Sequence, residues 1–192
     1  MEYRIIRSRR KTIAIQVKNG EVVVRAPLFT ADRTIRKFVD GHAEWIGKAL
    51  EKSRKLAGER ERAIETDGVI THDEIRALAK KAVSVIPERV AHFASILGVT
   101  YGRITIRMQR SKWGSCSAKG NLNFNCLLML APPEVLDGVV VHELCHRLEM
   151  NHSERFYRHV LSVLPDYYER RKWLKNNGDL LMARAFAGED NA

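Results

Sequence analysis

The sequence predicts an α+β fold, and three observations carry that expectation. Near the N-terminus two β-rich runs flank Asn19-Gly20, the strongest short-range hairpin signal. After Thr30, and again after Thr71, apolar residues recur three and four apart, the period of a helix buried on one face. A short alternating region at 103–130 then gives way to helical pattern for the rest of the chain. At 192 residues with 45% hydrophobic content, the chain has enough apolar side chain for a globular core. The expected organisation is residues 1–70 as an N-terminal hairpin-plus-helix region and residues 71–192 as a core region in one compact unit.

Taken in order, Thr12 to Val17 and Glu21 to Arg25 are the hairpin strands, and Pro27 ends the second. Ile35, Phe38, Val39, His42, Trp45, Ile46 and Ala49 mark the first helix. It is expected to fade into a charged connector around Gly58 to Gly68. Thr71-His-Asp-Glu74 has the form of a capping box, in which each end of the motif satisfies the other's backbone N–H. The helix it opens runs to Gly98, with Pro87 as either a kink or a junction. "RITIRMQ" and "LNFNCLLML" read as strands. Pro132-Pro133 and Glu134 open the next helix, because proline suits a first turn and a carboxylate complements the positive helix end. Two further helices are expected at about 153–164 and 167–186.

No apolar run approaches the roughly 20 residues of a membrane-spanning helix, and the charged N-terminus lacks the apolar segment of a secretory signal. Cys116, Cys126 and Cys145 include no C-x-x-C pair and read as reduced thiols. The cytoplasm is therefore the expected location, with no membrane partner. The net charge of +10 is uneven: residues 1–131 hold 25 Lys/Arg against 13 Asp/Glu, and the remainder 8 against 10. A basic face attracts polyanions, so nucleic acid or an acidic protein segment is a candidate partner for this part of the chain.

The chemistry concentrates in "VVVHELCHRLEMNHSERF", residues 139–156. His142 and His146 lie one helical turn apart on one face, so two imidazole nitrogens can meet one ion at about 2.0–2.1 Å. Glu143, about 100° around the helix, is poorly placed as a ligand but can reach a water on that ion. This is the H-E-x-x-H arrangement, in which the glutamate is a general base. A catalytic zinc wants a third protein ligand and an open fourth position. His152 is the natural third, held in the first turn of the following helix if Asn151-His-Ser-Glu154 is a capping box. Glu149 is an alternative as ligand or orienting group. The chemistry implied is peptide-bond hydrolysis by attack of a zinc-activated water with Glu143 assisting, using one Zn2+ per chain. Tyr157, Arg155 and His159 are open candidates for stabilising the oxyanion. Cys145 should point into the core. A metal-stabilised binding module, whose basic face docks nucleic acid or an acidic partner, is the alternative reading.

The stretch from "WGSCSAKGNLNFN" through "PPEVLDGVVVHELCHRLEMNHSERF" to "YYERRKWL", together with the N-terminal "RSRRKTIAIQVKNGEVVVRAP" and the Trp45-Ile46 helix, resembles the YgjP-like metallopeptidases, related to the SprT-like and WLM zinc proteases. Trp113 to Cys116, Asn125, Pro132-Pro133, His142 to His146, Asn151 to Ser153 and Phe156 carry the resemblance. It implies a zincin-like domain, with the H-E-x-x-H helix beside a small, mainly antiparallel sheet. It implies His142, His146 and His152 as metal ligands and Glu143 as base. It also implies that the strand within 121–130 is the edge to which an extended peptide substrate adds. The Trp113 to Cys116 loop either borders the cleft or is a tight structural turn. Gly138 and Arg147 depart from the pattern, where an aromatic and an apolar residue are expected.

Overall fold

The computed structural model describes residues 1–187. The chain divides into two compact units, residues 1–65 and Thr66 onward. In the first unit, strands β1 (Arg4–Ser8), β2 (Ala14–Lys18) and β3 (Glu21–Pro27) form a sheet of order β1-β3-β2. The Asn19-Gly20 signal holds: Lys18 pairs with Glu21, and both turn residues have positive φ, 51° and 77°. That combination gives a turn whose twist matches the strands it joins. β1 runs parallel to β3. Val22, Val24 and Ala26 of β3 pack with Ile35 and Val39 of helix α1 (Asp32–Asp40) and with Ile46 of α2 (Ala43–Asp67).

The connector expected around Gly58 to Gly68 is instead helix to Asp67. Glu, Lys, Arg and Ala are all strong helix formers, and one internal glycine costs only about 1 kcal/mol against them. Gly68, with φ of +77°, follows the last turn as a left-handed stop. Among the described residues no helix is long and apolar enough to cross a membrane.

The second unit opens with α3 (His72–Leu97), whose Thr71/Glu74 capping box is fully formed. Pro87 lies inside this helix, which continues through it to a left-handed Gly98. Strands β4 (Ile104–Arg107), β5 (Gly114–Cys116) and β6 (Leu122–Asn125) follow, in spatial order β4-β6-β5. The α+β reading holds, but this sheet is mixed: β4 is parallel to β6 and β5 antiparallel to it. β6 is therefore the central strand and cannot be the substrate-accepting edge. β5 is an edge strand, and it borders the helix carrying H-E-x-x-H.

The long strand expected over 121–130 stops at Asn125 and becomes a 3-10 turn, Cys126–Leu130. Asn125 is the cause. Its fully buried side chain accepts from the Leu127 N–H at 3.1 Å and donates to the carbonyls of Gln109 and Lys112 at 2.8 and 3.1 Å. A side chain that satisfies the backbone two residues on offers an alternative to the ladder. Helices α4 (Pro133–Cys145), α5 (Glu154–Val163) and α6 (Tyr167–Phe186) complete the unit.

Its core brings Ile86 and Val90 of α3, Leu122 and Phe124 of β6, Val140 and Leu144 of α4, and Phe156 and Val160 of α5 into one cluster, all fully buried. Each such side chain stabilises by about 1.5–3 kcal/mol relative to exposure. Arg89 ties α3 to α4 through two bonds to Asp137, at 2.7 and 2.8 Å.

Candidate metal centre

α4 carries His142 and Glu143 in its last turn. Its valine run is a poor intrinsic helix former, but Val139, Val140 and Val141 are all buried, and packing overrides propensity. The helix ends at Cys145, with His146 as its cap. The chain then turns back through Asn151, whose side chain accepts from the Ser153 N–H at 3.0 Å. Ser153, not Asn151, caps α5 by accepting from the Phe156 N–H at 3.3 Å. His152 therefore sits just before α5 instead of in its first turn. The His152 ring still reaches the other two, because the Asn151 and Ser153 side chains in succession hold that backbone.

The three imidazoles converge. Nε2 of His142 and Nε2 of His152 are 3.0 Å apart, and one ring nitrogen from each of His142, His146 and His152 lies within 4.8 Å of the others. The buried Phe156 ring lies against all three, with centroid distances of 4.9, 4.7 and 4.9 Å. Nδ1 of His142 is 2.8 Å from the Tyr167 hydroxyl, and Nδ1 of His146 is 3.2 Å from the Glu149 carbonyl. With Nδ1–H donating to those oxygens, each ring turns an Nε2 lone pair toward its neighbours.

The Nε2 of His152 faces that of His142 at 3.0 Å, a separation that either a shared proton or a cation taking both lone pairs satisfies. A tetrahedral ion with 2.0–2.1 Å bonds sets its ligand nitrogens about 3.3–3.4 Å apart, so this donor set fits one. Burial, reinforced by the neighbouring imidazoles and by Arg171, lowers the His142 pKa to about 3, and burial also lowers that of His146. Both are neutral near pH 7, the form that ligates.

Glu143 is only 6% exposed, and burial pushes its carboxyl up to about 7, against the opposing pull of Lys112 and of a hydrogen bond from the Cys116 backbone. It has room only because residue 114 is glycine. A Cβ there would stand 2.7 Å from Glu143 Cγ and Oε1. The Trp113 to Cys116 segment thus borders the centre, with Gly114–Cys116 as strand β5.

The sequence points to the imidazoles and to Glu149 as a candidate orienting group, but not to the supports from α6. Tyr167 and Arg171 come from α6, and no local spacing links Tyr167 to His142, 25 residues earlier. Glu149, weighed as a ligand or orienting group, pairs its carboxylate with Arg155 at 3.6 Å and faces the His146 ring with its backbone carbonyl instead. Of the oxyanion candidates, that pairing occupies Arg155, and His159 makes none of the ring contacts at the centre. Tyr157 lies against His152 at 6.3 Å between ring centroids and accepts from Arg171 at 3.5 Å. Cys145 is fully buried, as expected.

The departures are explained by packing. A Cβ at Gly138 would already meet the Arg170 side chain at 3.3 Å, so a larger residue there would have to displace that side chain. Arg147 donates to the carbonyls of Thr100 and Ala118 at 3.0 and 3.2 Å and lies over Gly120, clamping two loops that an apolar side chain could not hold.

The family model described as the YgjP-like metallopeptidase domain matches residues 11–74 and 70–177. The chain belongs to the YgjP-like family. As a YgjP-like domain it is a metallopeptidase by class, and its mixed α+β architecture agrees with the fold class that the sequence predicts. Two solved structures are similar over about half of the chain. The metallopeptidase zymogen abylysin of Pyrococcus abyssi shares 22% identity, covering 48% of this chain and 94% of that one, with a TM-score of 0.44. The metallopeptidase zymogen jannalysin of Methanocaldococcus jannaschii shares 20%, covering 47% and 94%, with a TM-score of 0.43. No curated protein matches the sequence.

Proposed function

We propose that this YgjP-like domain hydrolyses peptide bonds as a zinc-dependent enzyme, with His142, His146 and His152 holding one Zn2+ through Nε2 and Glu143 as general base. The observation that carries the reading is the convergence of three imidazoles beside one buried carboxylate. Three histidine ligands leave a coordination position open, whereas structural zinc sites are usually closed by four residues, mostly cysteine. When bound, the ion supplies a Lewis acid that polarises the scissile carbonyl and eases deprotonation of water.

The chain's own groups do the rest. Glu143 accepts the proton of the attacking water at a carboxylate oxygen and returns it to the departing amine. Its raised pKa, about 7, suits both directions of transfer near neutral pH. Tyr167 and the Glu149 carbonyl hold the His142 and His146 rings in the tautomer that turns Nε2 inward. Three free cysteines support a reducing, cytoplasmic setting.

Metal content by mass spectrometry, measured for the wild type beside His152→Ala and Glu143→Gln, tests the reading. About one zinc per chain is expected in the wild type, lost or loosened in His152→Ala and kept in Glu143→Gln. Cleavage of an unstructured protein substrate should fall on the order of 10²–10⁴-fold in Glu143→Gln. No zinc in the folded wild type after incubation with the metal would overturn the site. Full cleavage by Glu143→Gln would overturn the mechanism, and a zinc-loaded wild type that cuts nothing would leave a metal-stabilised binding module.

A further inference from the structure

Beside His142 and Glu143 the second unit leaves a cavity of about 220 Å³. Much of its wall is apolar, formed by Trp113, Val139 and Leu174 among others. Three cations, Lys112, Arg170 and Arg171, also line it, and Glu143 is the one carboxylate among its lining residues. The lining cations thus outnumber the lining carboxylate three to one.

The three cations differ in how far they are already satisfied. Arg170 donates to Asp166 at 2.8 Å and to the Glu134 carbonyl at 2.9 Å, so its charge is compensated within the fold. Arg171 makes one long bond, to the Tyr157 hydroxyl at 3.5 Å. Lys112 is fixed through its backbone, whose carbonyl the buried Asn125 holds, while its ammonium acts on Glu143 through charge. Tyr167, Arg171 and Leu174 are spaced at i, i+4 and i+7 on α6, so one face of that helix presents all three to the cavity and to His142. Lys112 enters from the loop leading into β5. The two underused cations thus come from separate elements and share a cavity with the reacting centre.

We propose that this cavity is the subsite for the substrate residue beside the scissile bond, and that it selects a carboxylate there, held by Lys112 and Arg171 against the apolar wall. The inference rests on the reading of His142 and Glu143 as the reacting centre. The carboxylate has two chemical sources, an Asp or Glu side chain or the free C-terminus of a peptide. A charge-assisted bond in a partly desolvated site discriminates a carboxylate from its amide, which has the same shape and no charge. An uncharged residue of similar size gains only the wall contacts.

The test uses the full-length, zinc-loaded protein and matched fluorogenic peptides. One set carries Glu or Gln on either side of a single cleavable bond. A second set places the bond one residue from a C-terminus that is either free or amidated. The preferred carboxylate peptide should be cut with kcat/KM about tenfold or more above its amide partner, the discrimination of one charged hydrogen bond. Whether the side-chain or the terminal set shows that ratio identifies the source. In Arg171→Glu and Lys112→Glu the ratio should fall to about 1 or invert. Arg171→Gln, a milder change, should lower it if either reversal fails to fold. Lys80→Glu, on α3 and outside the cavity, should leave the ratio as in the wild type.

Binding of the same peptides to zinc-loaded Glu143→Gln, read by fluorescence anisotropy, separates the two readings. Carboxylate-selective binding to that variant, with a wild type that cuts none of the peptides, would overturn the peptidase function and support the pocket. Equal kcat/KM for acid and amide, a preference that survives both charge reversals, or absence of binding and cleavage alike would each overturn the proposal.

Discussion

Replacing Gly114 with alanine isolates the position of Glu143 from everything else at the centre. The new Cβ would stand 2.7 Å from Cγ and Oε1 of Glu143 and 3.0 Å from Cδ. Relaxed carbon contacts lie at about 3.5–4.0 Å, so one partner must retreat by roughly 1 Å. The strand cannot easily do so, because Gly114 pairs with Phe124, which is fully buried. Neither can α4, whose Leu144 and Cys145 are fully buried beside Glu143. The carboxylate arm is the softest element, and it moves. Displacing a reacting group by about 1 Å costs on the order of 100-fold in rate, or about 2.7 kcal/mol of transition-state stabilisation. The three atoms nearest the added methyl all belong to Glu143, so metal binding should survive. The assay is kcat/KM on a fluorogenic peptide, with zinc content and thermal unfolding measured on the same preparation. The expected result is a roughly 100-fold loss with about one zinc per chain retained, and a stability cost of about 1–3 kcal/mol from overpacking. A folded variant within threefold of wild-type activity would refute the link between the Gly114 gap and Glu143. Loss of zinc together with activity would refute it too, by showing that the histidines had moved.

Tyr167→Phe leaves the His142 Nδ1–H without its partner at a buried position, and zinc affinity measured by chelator competition should drop about 10–100-fold while activity recovers at saturating zinc. Asn125→Ala strips hydrogen bonds from Gln109, Lys112 and Leu127 in a fully buried spot, so urea unfolding should report about 2–4 kcal/mol of destabilisation, at roughly 1 kcal/mol per bond plus the void. Arg147→Ala should lower stability by about 1–2 kcal/mol through the freed Thr100 and Ala118 carbonyls, with zinc content unchanged. Burial raises all three thiols, pushing Cys145 up to about 12. Alkylation followed by mass spectrometry should accordingly find only Cys116 modified in the folded protein, and all three after denaturation.

Features set by neighbours in the chain are legible in the sequence itself. The Asn19-Gly20 hairpin, the Thr71/Glu74 capping box and the placement of His142 and His146 on one face depend on backbone geometry within a few residues. So does the choice of His152 as the third imidazole, because a helix end and a short return leave few other places for it. Boundaries governed by weak local preferences are less legible. The helix through Asp67 and the 3-10 turn after Asn125 turn on a single glycine's cost and on one side chain's choice of partner.

Tertiary structure alone decided what stands behind and beside the centre. Tyr167 meets His142 only because α6 packs across α4, and Gly114 meets Glu143 only because β5 pairs at the edge of β6. The parallel pairing of β4 with β6 likewise joins residues whose separation in sequence carries no periodic signal. The placement of His142 and His146 on one face follows from a repeat of one helical turn, and that of His152 from a short return after the helix end. The groups that orient them, make room for the carboxylate and charge the neighbouring cavity depend on which faces bury together, and that is settled by packing of the whole core.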